Sequence, residues 1–325
     1  MEEASGDPEV ADILNGTPGK ALPYQVGLSQ AVPTGDAPPE CAGSLIAPRV
    51  VMTAAHCYID ADGNFIDRVL RTVRLNMYDT SNINEPGLTR INLSSAKLGV
   101  DVFPHPDFDP SNVYNGNDIA LVILPGGQEE GDNIKYAKRN KDPNVPAADE
   151  RLYISGWGAT AGGPQSDILL STVVNYLSGE ECTEILGCNP ADECAELLNT
   201  KMMCAYKEGT GTCEGDSGGP LVIASQNETA PATEPPLQVG IVSFGYSGDC
   251  EEDAFALTLY TRVSHYNDWI TSTVCEAAGE LCSSSKSGKS SKSGSGNSSK
   301  SSKSQVPSSV SAEEDVAVVH DEMDV

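Results

Sequence analysis

No run of apolar residues in this 325-residue chain approaches the roughly 20 that a membrane-crossing helix requires. The opening residues, Met1-Glu-Glu-Ala-Ser-Gly-Asp7, supply neither the basic nor the apolar segment of a secretory leader. Basic charge is scarce. Twenty Lys and Arg face 47 Asp and Glu, for a formal net charge of −27. Residues 1–12 carry −5 of this and residues 283–325 carry −1, so −21 belongs to the stretch between them. That balance argues against nucleic acid and anionic membrane surfaces as partners, and it reads as a solubility device rather than as steering of basic substrates. Cys-x-x-Cys is also missing, so the ten cysteines do not read as a metal centre. Their even number indicates five disulfides and an oxidising compartment. An extracellular or secretory-pathway protein is expected, with a start upstream of Met1 or a leader lacking from the sequence.

What the chain does have is Gly211-Thr-Cys-Glu-Gly-Asp-Ser-Gly-Gly-Pro220. Glycines around Ser217 permit a sharp turn and a close approach by another backbone. Such a turn can aim the amides of Gly215 and Ser217 at one point beside the Ser217 hydroxyl, where an oxyanion would form. A serine hydroxyl needs a base to become a nucleophile. Thr53-Ala-Ala-His-Cys57 supplies His56 after the apolar run Arg49-Val-Val-Met52. Asn117-Asp-Ile-Ala-Leu-Val-Ile-Leu124 supplies Asp118 at the head of another apolar run. With these three motifs in this order, roughly residues 13–275 resemble the trypsin/chymotrypsin family of serine endopeptidases.

The resemblance implies a secreted endopeptidase acting on polypeptides through an acyl-enzyme. Ser217 is then the nucleophile, His56 the general base, Asp118 the group that orients it, and the Gly215 and Ser217 amides the oxyanion hole. It implies disulfides Cys41–Cys57, Cys182–Cys204 and Cys213–Cys250. Cys188 and Cys194, in what looks like an insertion, are left to pair locally, and Cys275 is left for Cys282. Ile13 resembles the family's mature N-terminus, whose ammonium pairs with the carboxylate before the nucleophile, here Asp216. The preceding residue is Asp12, where trypsin-activated relatives carry Arg or Lys, so the activating protease must accept acidic or small residues, or the zymogen stays latent. The primary pocket is expected to involve Gly211, Ser243, Phe244, Gly245 and Thr258. Trypsin-like relatives place an aspartate where this chain has Gly211, and burying a cation without a partner is costly. Apolar, chymotrypsin- or elastase-like preference follows, with Thr258 narrowing the pocket. Basic specificity returns if Glu252 or Asp253, in the long acidic loop 248–253, folds inward. No cofactor or metal is expected, because Met77-Tyr78 fall where the family's calcium loop has its first acidic ligand. Partners are polypeptide substrates, an activating protease and protein inhibitors; a monomer is expected.

Alternating apolar stretches at 24–28, 43–53, 72–77, 97–103 and 118–124, separated by turn-rich segments, favour an all-β barrel or sandwich. The family implies two six-stranded antiparallel β-barrels with a short C-terminal helix. The first barrel is expected over about 24–125 and the second over about 151–262, opening at Arg151-Leu-Tyr-Ile-Ser-Gly-Trp-Gly158. Trp157 reads as core, and His105 and His265 as residues outside the catalysis. Stretches 220–224 and 238–244 should form a hairpin. Apolar residues at 263, 266, 269, 270 and 274 have helical spacing, giving the closing helix over 263–274. Residues 1–12 read as an acidic leader or propeptide and 13–282 as the peptidase domain. From 283 to 304, 13 of 22 residues are Ser and five are Lys, a composition that buries no core, so a disordered tail with an acidic end is expected over 283–325. Sequons at Asn15, Asn92, Asn227 and Asn297 are compatible with glycosylation. Two other readings remain: a catalytically silent homologue that binds or inhibits, and a matrix component anchored by its tail.

Overall fold

The computed structural model describes residues 17–30, 37–66, 70–93, 96–160, 163–189, 193–225, 230–231, 235–245 and 257–282. Ile13, the sequons at 15, 227 and 297, Cys250, the loop 248–253 and the segments 1–12 and 283–325 lie outside them.

Strands β1 (Thr17–Pro18), β2 (Gln25–Ser29), β3 (Cys41–Ala47), β4 (Val50–Thr53), β5 (Thr72–Leu75), β6 (Thr89–Asn92), β7 (Val102–Pro104) and β8 (Ala120–Ile123) come from the first half of the chain. All but β1 join one antiparallel sheet in the order β6-β5-β2-β3-β4-β8-β7. Every residue of β2, β3, β4, β5 and β8 is buried. Strand β6 instead alternates half-buried Thr89 and Ile91 with exposed Arg90 and Asn92, the period of two expected at a sheet edge. Seven strands therefore stand where six were expected, and β6 and β7 do not pair with each other.

The second half gives β9 (Lys138–Arg139), β10 (Arg151–Gly156), β11 (Leu170–Leu177), β12 (Met202–Tyr206), β13 (Pro220–Ile223), β14 (Leu237–Gly245) and β15 (Thr258–Arg262). Six of them, β11-β10-β13-β14-β15-β12, close into a barrel because β12 also pairs with β11. Strand β1 adds to the outside of β11, and β9 runs parallel to β14. The hairpin expected from 220–224 and 238–244 is β13–β14.

Buried polar bonds hold the two sheets in register. The Ser44 hydroxyl on β3 donates to Gln238 Oε1 on β14 at 2.6 Å. Gln25 on β2 donates to the Ser155 carbonyl at 3.0 Å, and the Ser155 hydroxyl returns a bond to Gln25 Oε1. Each such bond contributes about 1 kcal/mol net, and orphaning one partner costs more. They join β2 and β3 of the first sheet to β10 and β14 of the second.

Just past β10, Trp157 is wholly buried and its indole N–H donates to the Tyr78 carbonyl at 3.1 Å. Truncation to Ala empties the largest fully buried side chain and orphans that carbonyl. Trp157→Ala should therefore cost about 3–5 kcal/mol, read as a lower denaturation midpoint at unchanged slope.

Among the described residues there are three α-helices, two of them unanticipated. Helix α1 (Gly179–Ile185) opens on a capping box: Ser178 Oγ accepts from Glu181 N, and Glu181 Oε2 accepts from Ser178 N. Helix α2 (Glu193–Thr200) buries Ala195, Leu197 and Leu198. Disulfide Cys182–Cys204 ties α1 to β12, and Cys188–Cys194 ties the turn after α1 to the start of α2. A 3₁₀ turn over Val263–Tyr266 leads into α3 (Asn267–Ala278), which ends at left-handed Gly279 (φ 70°). Cys275 bonds Cys282. Among the described residues no helix is long and apolar enough to cross a membrane.

Candidate active site

Antiparallel pairing of β4 with β8 sets Thr53 opposite Ala120. The end of one strand thus lies beside the start of the other. His56 follows Thr53 on a 3₁₀ turn, and Asp118 precedes Ala120, so the two motifs meet at one sheet end. His56 Nδ1 lies 2.7 Å from Asp118 Oδ2, and the His56 amide donates to Asp118 Oδ1 at 3.0 Å. Asp118 is 1% exposed. A lone buried carboxylate would be costly, and several hydrogen bonds offset that here. The Ser243 hydroxyl donates to Asp118 Oδ2 at 2.5 Å, and Thr261 Oγ1 donates to the Asp118 carbonyl at 2.7 Å. Burial alone would raise the Asp118 carboxyl, but the His56 charge and the bonds from His56 and Ser243 hold it below the ordinary value. Burial would lower the imidazole; the Asp118 charge and hydrogen bond reverse this, leaving His56 above its usual 6.5.

Behind Asp118 the C-terminal elements act as a buttress. The Tyr266 hydroxyl accepts from the Asn117 amide at 2.8 Å and donates to Asn117 Oδ1 at 3.2 Å. His105 packs edge-on against Tyr266 and 4.9 Å from the Trp269 ring. His265 is exposed beside Tyr266. Neither imidazole bonds to Asp118.

The Ser217 turn docks against the strand that leads to His56. Ala42 N donates to the Ser217 carbonyl at 2.7 Å, and Cys57 Sγ lies 3.8 Å from the same oxygen. Gly218 has φ +81°, and a Cβ there would fall 2.1 Å from Thr53 Oγ1 and 2.5 Å from the Ala42 carbonyl. Only glycine allows this approach. Disulfide Cys41–Cys57 joins β3 to the His56 turn at the same place. Within the turn, Asp216 N donates to Cys213 O, Gly218 N to Val242 O and Gly219 N to Asp216 O. The amides of Gly215 and Ser217 make no hydrogen bond among the described residues. Two unpaired donors on one tight turn are uncommon in a folded protein, where buried N–H groups are nearly always satisfied.

Asp216 points away from this surface into the core, 1% exposed. Its oxygens accept from Gly158 N at 2.8 Å and Cys213 N at 3.0 Å. A Cβ at Gly156 or at Gly158 would overlap the carboxylate, so these two glycines shape its seat. Burial pushes this carboxyl up to about 6, against the two amide bonds that lower it. Cys213 is disulfide-bonded, and the partner expected for it, Cys250, lies outside the described residues.

Beyond Ser243, β14 continues through half-buried Phe244 to exposed Gly245, whose strand partner is Thr258 on β15. Gly211 is buried, and Thr212 Oγ1 lies 3.0 Å from Thr258 Oγ1. Sequence reasoning singled out Gly211, Ser243, Phe244, Gly245 and Thr258 but passed over Thr212. It also passed over Tyr114, four residues before Asp118, whose ring meets Phe244 edge-on at 5.0 Å. The signal for Thr212 was its adjacency to Gly211. For Tyr114 the sequence offered none. Cys41, His56 and Cys57 alone among the described residues cluster as metal ligands could, but the two sulfurs are bonded to each other and offer no thiolate.

Comparison with known proteins gives the family. The family model described as Trypsin matches residues 13–270. Proproteinase E of Bos taurus is 33% identical over 268 residues, covering 81% of this chain and 94% of its own length. Chymotrypsin-like elastase family member 3B of Homo sapiens is 32% identical over 254 residues, 78% of this chain and 84% of its own. Serine protease Hayan of Drosophila melanogaster is 31% identical over 246 residues, 74% of this chain but only 35% of the longer relative. The chain belongs to the trypsin family: it is a serine-type endopeptidase, a hydrolase whose substrates are polypeptides.

Proposed function

We propose that Ser217, His56 and Asp118 form the catalytic triad of this peptidase. The observation that carries the reading is the 2.7 Å pairing of the His56 ring with a buried carboxylate, beside a turn bearing a half-buried serine and two unpaired amides. Asp118 fixes the tautomer by accepting from Nδ1, leaving Nε2 to take the Ser217 proton as Oγ attacks the scissile carbonyl. The Gly215 and Ser217 amides receive the developing oxyanion, an interaction worth about 3–4 kcal/mol per donor in comparable sites. His56 then returns the proton to the leaving amine, and water repeats the sequence on the acyl-enzyme.

Primary specificity is apolar. Gly211 brings no carboxylate to the pocket, so an Arg or Lys side chain would be buried without a partner. The likeness to a protein named as a chymotrypsin-like elastase supports the same preference. Activation follows cleavage before Ile13. The new ammonium would pair with Asp216, a buried carboxylate for which the described residues provide amide donors but no ion pair. Proproteinase E carries the name of a proenzyme, which supports this step. Disulfides and the likeness to these proteases support an extracellular site of action.

Fluorophosphonate labelling before and after cleavage at Asp12–Ile13 tests the proposal. The expected result is labelling of the cleaved chain alone, at Ser217. A folded chain that never labels would instead be a silent homologue, and equal labelling before and after the cut would remove the switch.

A further inference from the structure

A peptide group is planar, so whatever binds the Glu214 carbonyl also aims the Gly215 N–H, which points the opposite way. Ala159 N donates to the Glu214 carbonyl at 2.6 Å. Gly215 has φ +99°, an angle open to glycine, so little in the turn itself stops this peptide from rotating. Rotation would break the Ala159 bond and present a carbonyl oxygen where the amide stood, repelling an oxyanion instead of binding it. Glu214 is exposed, and one bond to an exposed residue is a weak guard.

A neighbouring hairpin adds a second hold. Its arms, 157–160 and 163–166, are closed by the Thr160 amide on the Pro164 carbonyl and the Ser166 amide on the Trp157 carbonyl, both at 3.2 Å. Ala159 faces Gln165 across them. The half-buried Gln165 side chain reaches the Gly215 turn: a Cβ at Gly215 would overlap Gln165 Nε2 and come within 3.1 Å of the Gly158 Cα. Gln165 Nε2 also donates to the Pro39 carbonyl at 2.8 Å. Pro39 is buried beside Gly27 of β2, and the next amide, Glu40 N, bonds to the Leu28 carbonyl at 2.9 Å. One carboxamide therefore links the hairpin, the turn and the first sheet.

We infer that Gln165, clamped to Pro39, is a positioning residue for the oxyanion donors: it holds Ala159 and Gly215 so that the Gly215 N–H stays aimed beside Ser217. This rests on the proposed triad and oxyanion site and names a side chain that keeps them in working order. Gln165 touches the turn, not the substrate, so its effect belongs to the tetrahedral state and not to substrate binding. A neutral hydrogen bond favours one arrangement over another by about two- to tenfold. Complete loss of an oxyanion donor costs about 10²–10³ in kcat. Loss of the clamp falls between these bounds.

The test uses the full chain after processing at Ile13, with active sites counted by fluorophosphonate titration. Gln165→Ala should lower kcat per titrated site about tenfold, with KM within about twofold. Gln165→Met keeps the length of the side chain but cannot donate to Pro39, and should lose about as much as Gln165→Ala. A peptide aldehyde, whose adduct with Ser217 places an oxygen at the amides, should bind both variants weaker by the same factor as kcat falls. The acid limb of the pH profile should stay in place, because His56 and Asp118 are untouched. An unchanged kcat in folded Gln165→Ala would overturn the inference, as would wild-type kcat in Gln165→Met. So would a loss confined to KM, a moved acid limb, or aldehyde affinity that stays at the wild-type level while kcat falls. Failure of the processed wild type to label would strike the triad itself, whereas a labelled wild type with indifferent Gln165 variants would strike only the clamp.

Discussion

Ser217→Ala lowers kcat on a peptide substrate by about 10⁶-fold and abolishes fluorophosphonate labelling, while folding stability changes by less than about 0.5 kcal/mol. The stability half of this expectation comes from what holds the turn. Ser217 is fixed through its main chain, by the Ala42 bond to its carbonyl and by the close fit of Gly218 against Thr53 and Ala42. Neither depends on the hydroxyl. The activity half comes from the chemistry: without an oxygen to attack the carbonyl there is no acyl-enzyme, and the base at His56 has no proton to take. Residual turnover of about 10³–10⁴ over water is left to the amides of Gly215 and Ser217 and to substrate binding. Removing His56 as well should therefore cost little beyond the single change. If the two losses multiply, the side chains do not act as one unit and the assignment fails. Urea denaturation and steady-state kinetics on the same preparations give both readouts.

The three motifs carrying His56, Asp118 and Ser217 were legible because each is a polar residue set against an apolar run or among glycines. Their meeting was not legible. It depends on Thr53 standing opposite Ala120 across β4 and β8, a register that no local pattern specifies. Strand β6 escaped notice because Ile91 is its sole apolar residue; it sits at a sheet edge with alternate residues in solvent. Helices α1 and α2 could have been found. Ser178-Gly-Glu-Glu181 has the spacing of a capping box, and Leu197-Leu198 follow an acidic first turn. The cysteines of this segment mark it as an insertion, a feature that carries no helical period of its own. The pocket was legible only in part. Gly211 and Thr258 could be placed by counting from motifs, but that Thr212 reaches Thr258 is a fact of side-chain geometry across two segments 46 residues apart. Nor does sequence announce the seat of Asp216, since Gly158 belongs to a different strand end and its role depends on how closely the two approach.

Asp118→Asn should cost about 10⁴-fold in kcat/KM near neutral pH with little change in backbone structure. An asparagine can still accept from the His56 amide through the oxygen that replaces Oδ1, and the nitrogen that replaces Oδ2 can donate to the Ser243 hydroxyl oxygen, so the local frame survives. What it cannot do is accept from the ring at its other atom. An amide nitrogen facing Nδ1 is a donor, which drives the proton of neutral His56 onto Nε2, the atom that must receive the proton of Ser217. The base is then blocked rather than removed. The pH profile separates this from simple disruption. In the wild type burial lowers the His56 pKa, and the Asp118 charge and hydrogen bond more than compensate, leaving it above 6.5. Activity requires the neutral ring, so kcat/KM should rise with pH through a value above 6.5 and fall away below it. With the carboxylate gone, burial alone remains. The acid limb should then move below 6.5, so that the variant reaches its reduced plateau at a lower pH than the wild type reaches its own. A loss smaller than tenfold, or an acid limb that stays in place or moves upward, would mean that Asp118 neither orients nor charges the imidazole, and that the 2.7 Å contact serves structure alone.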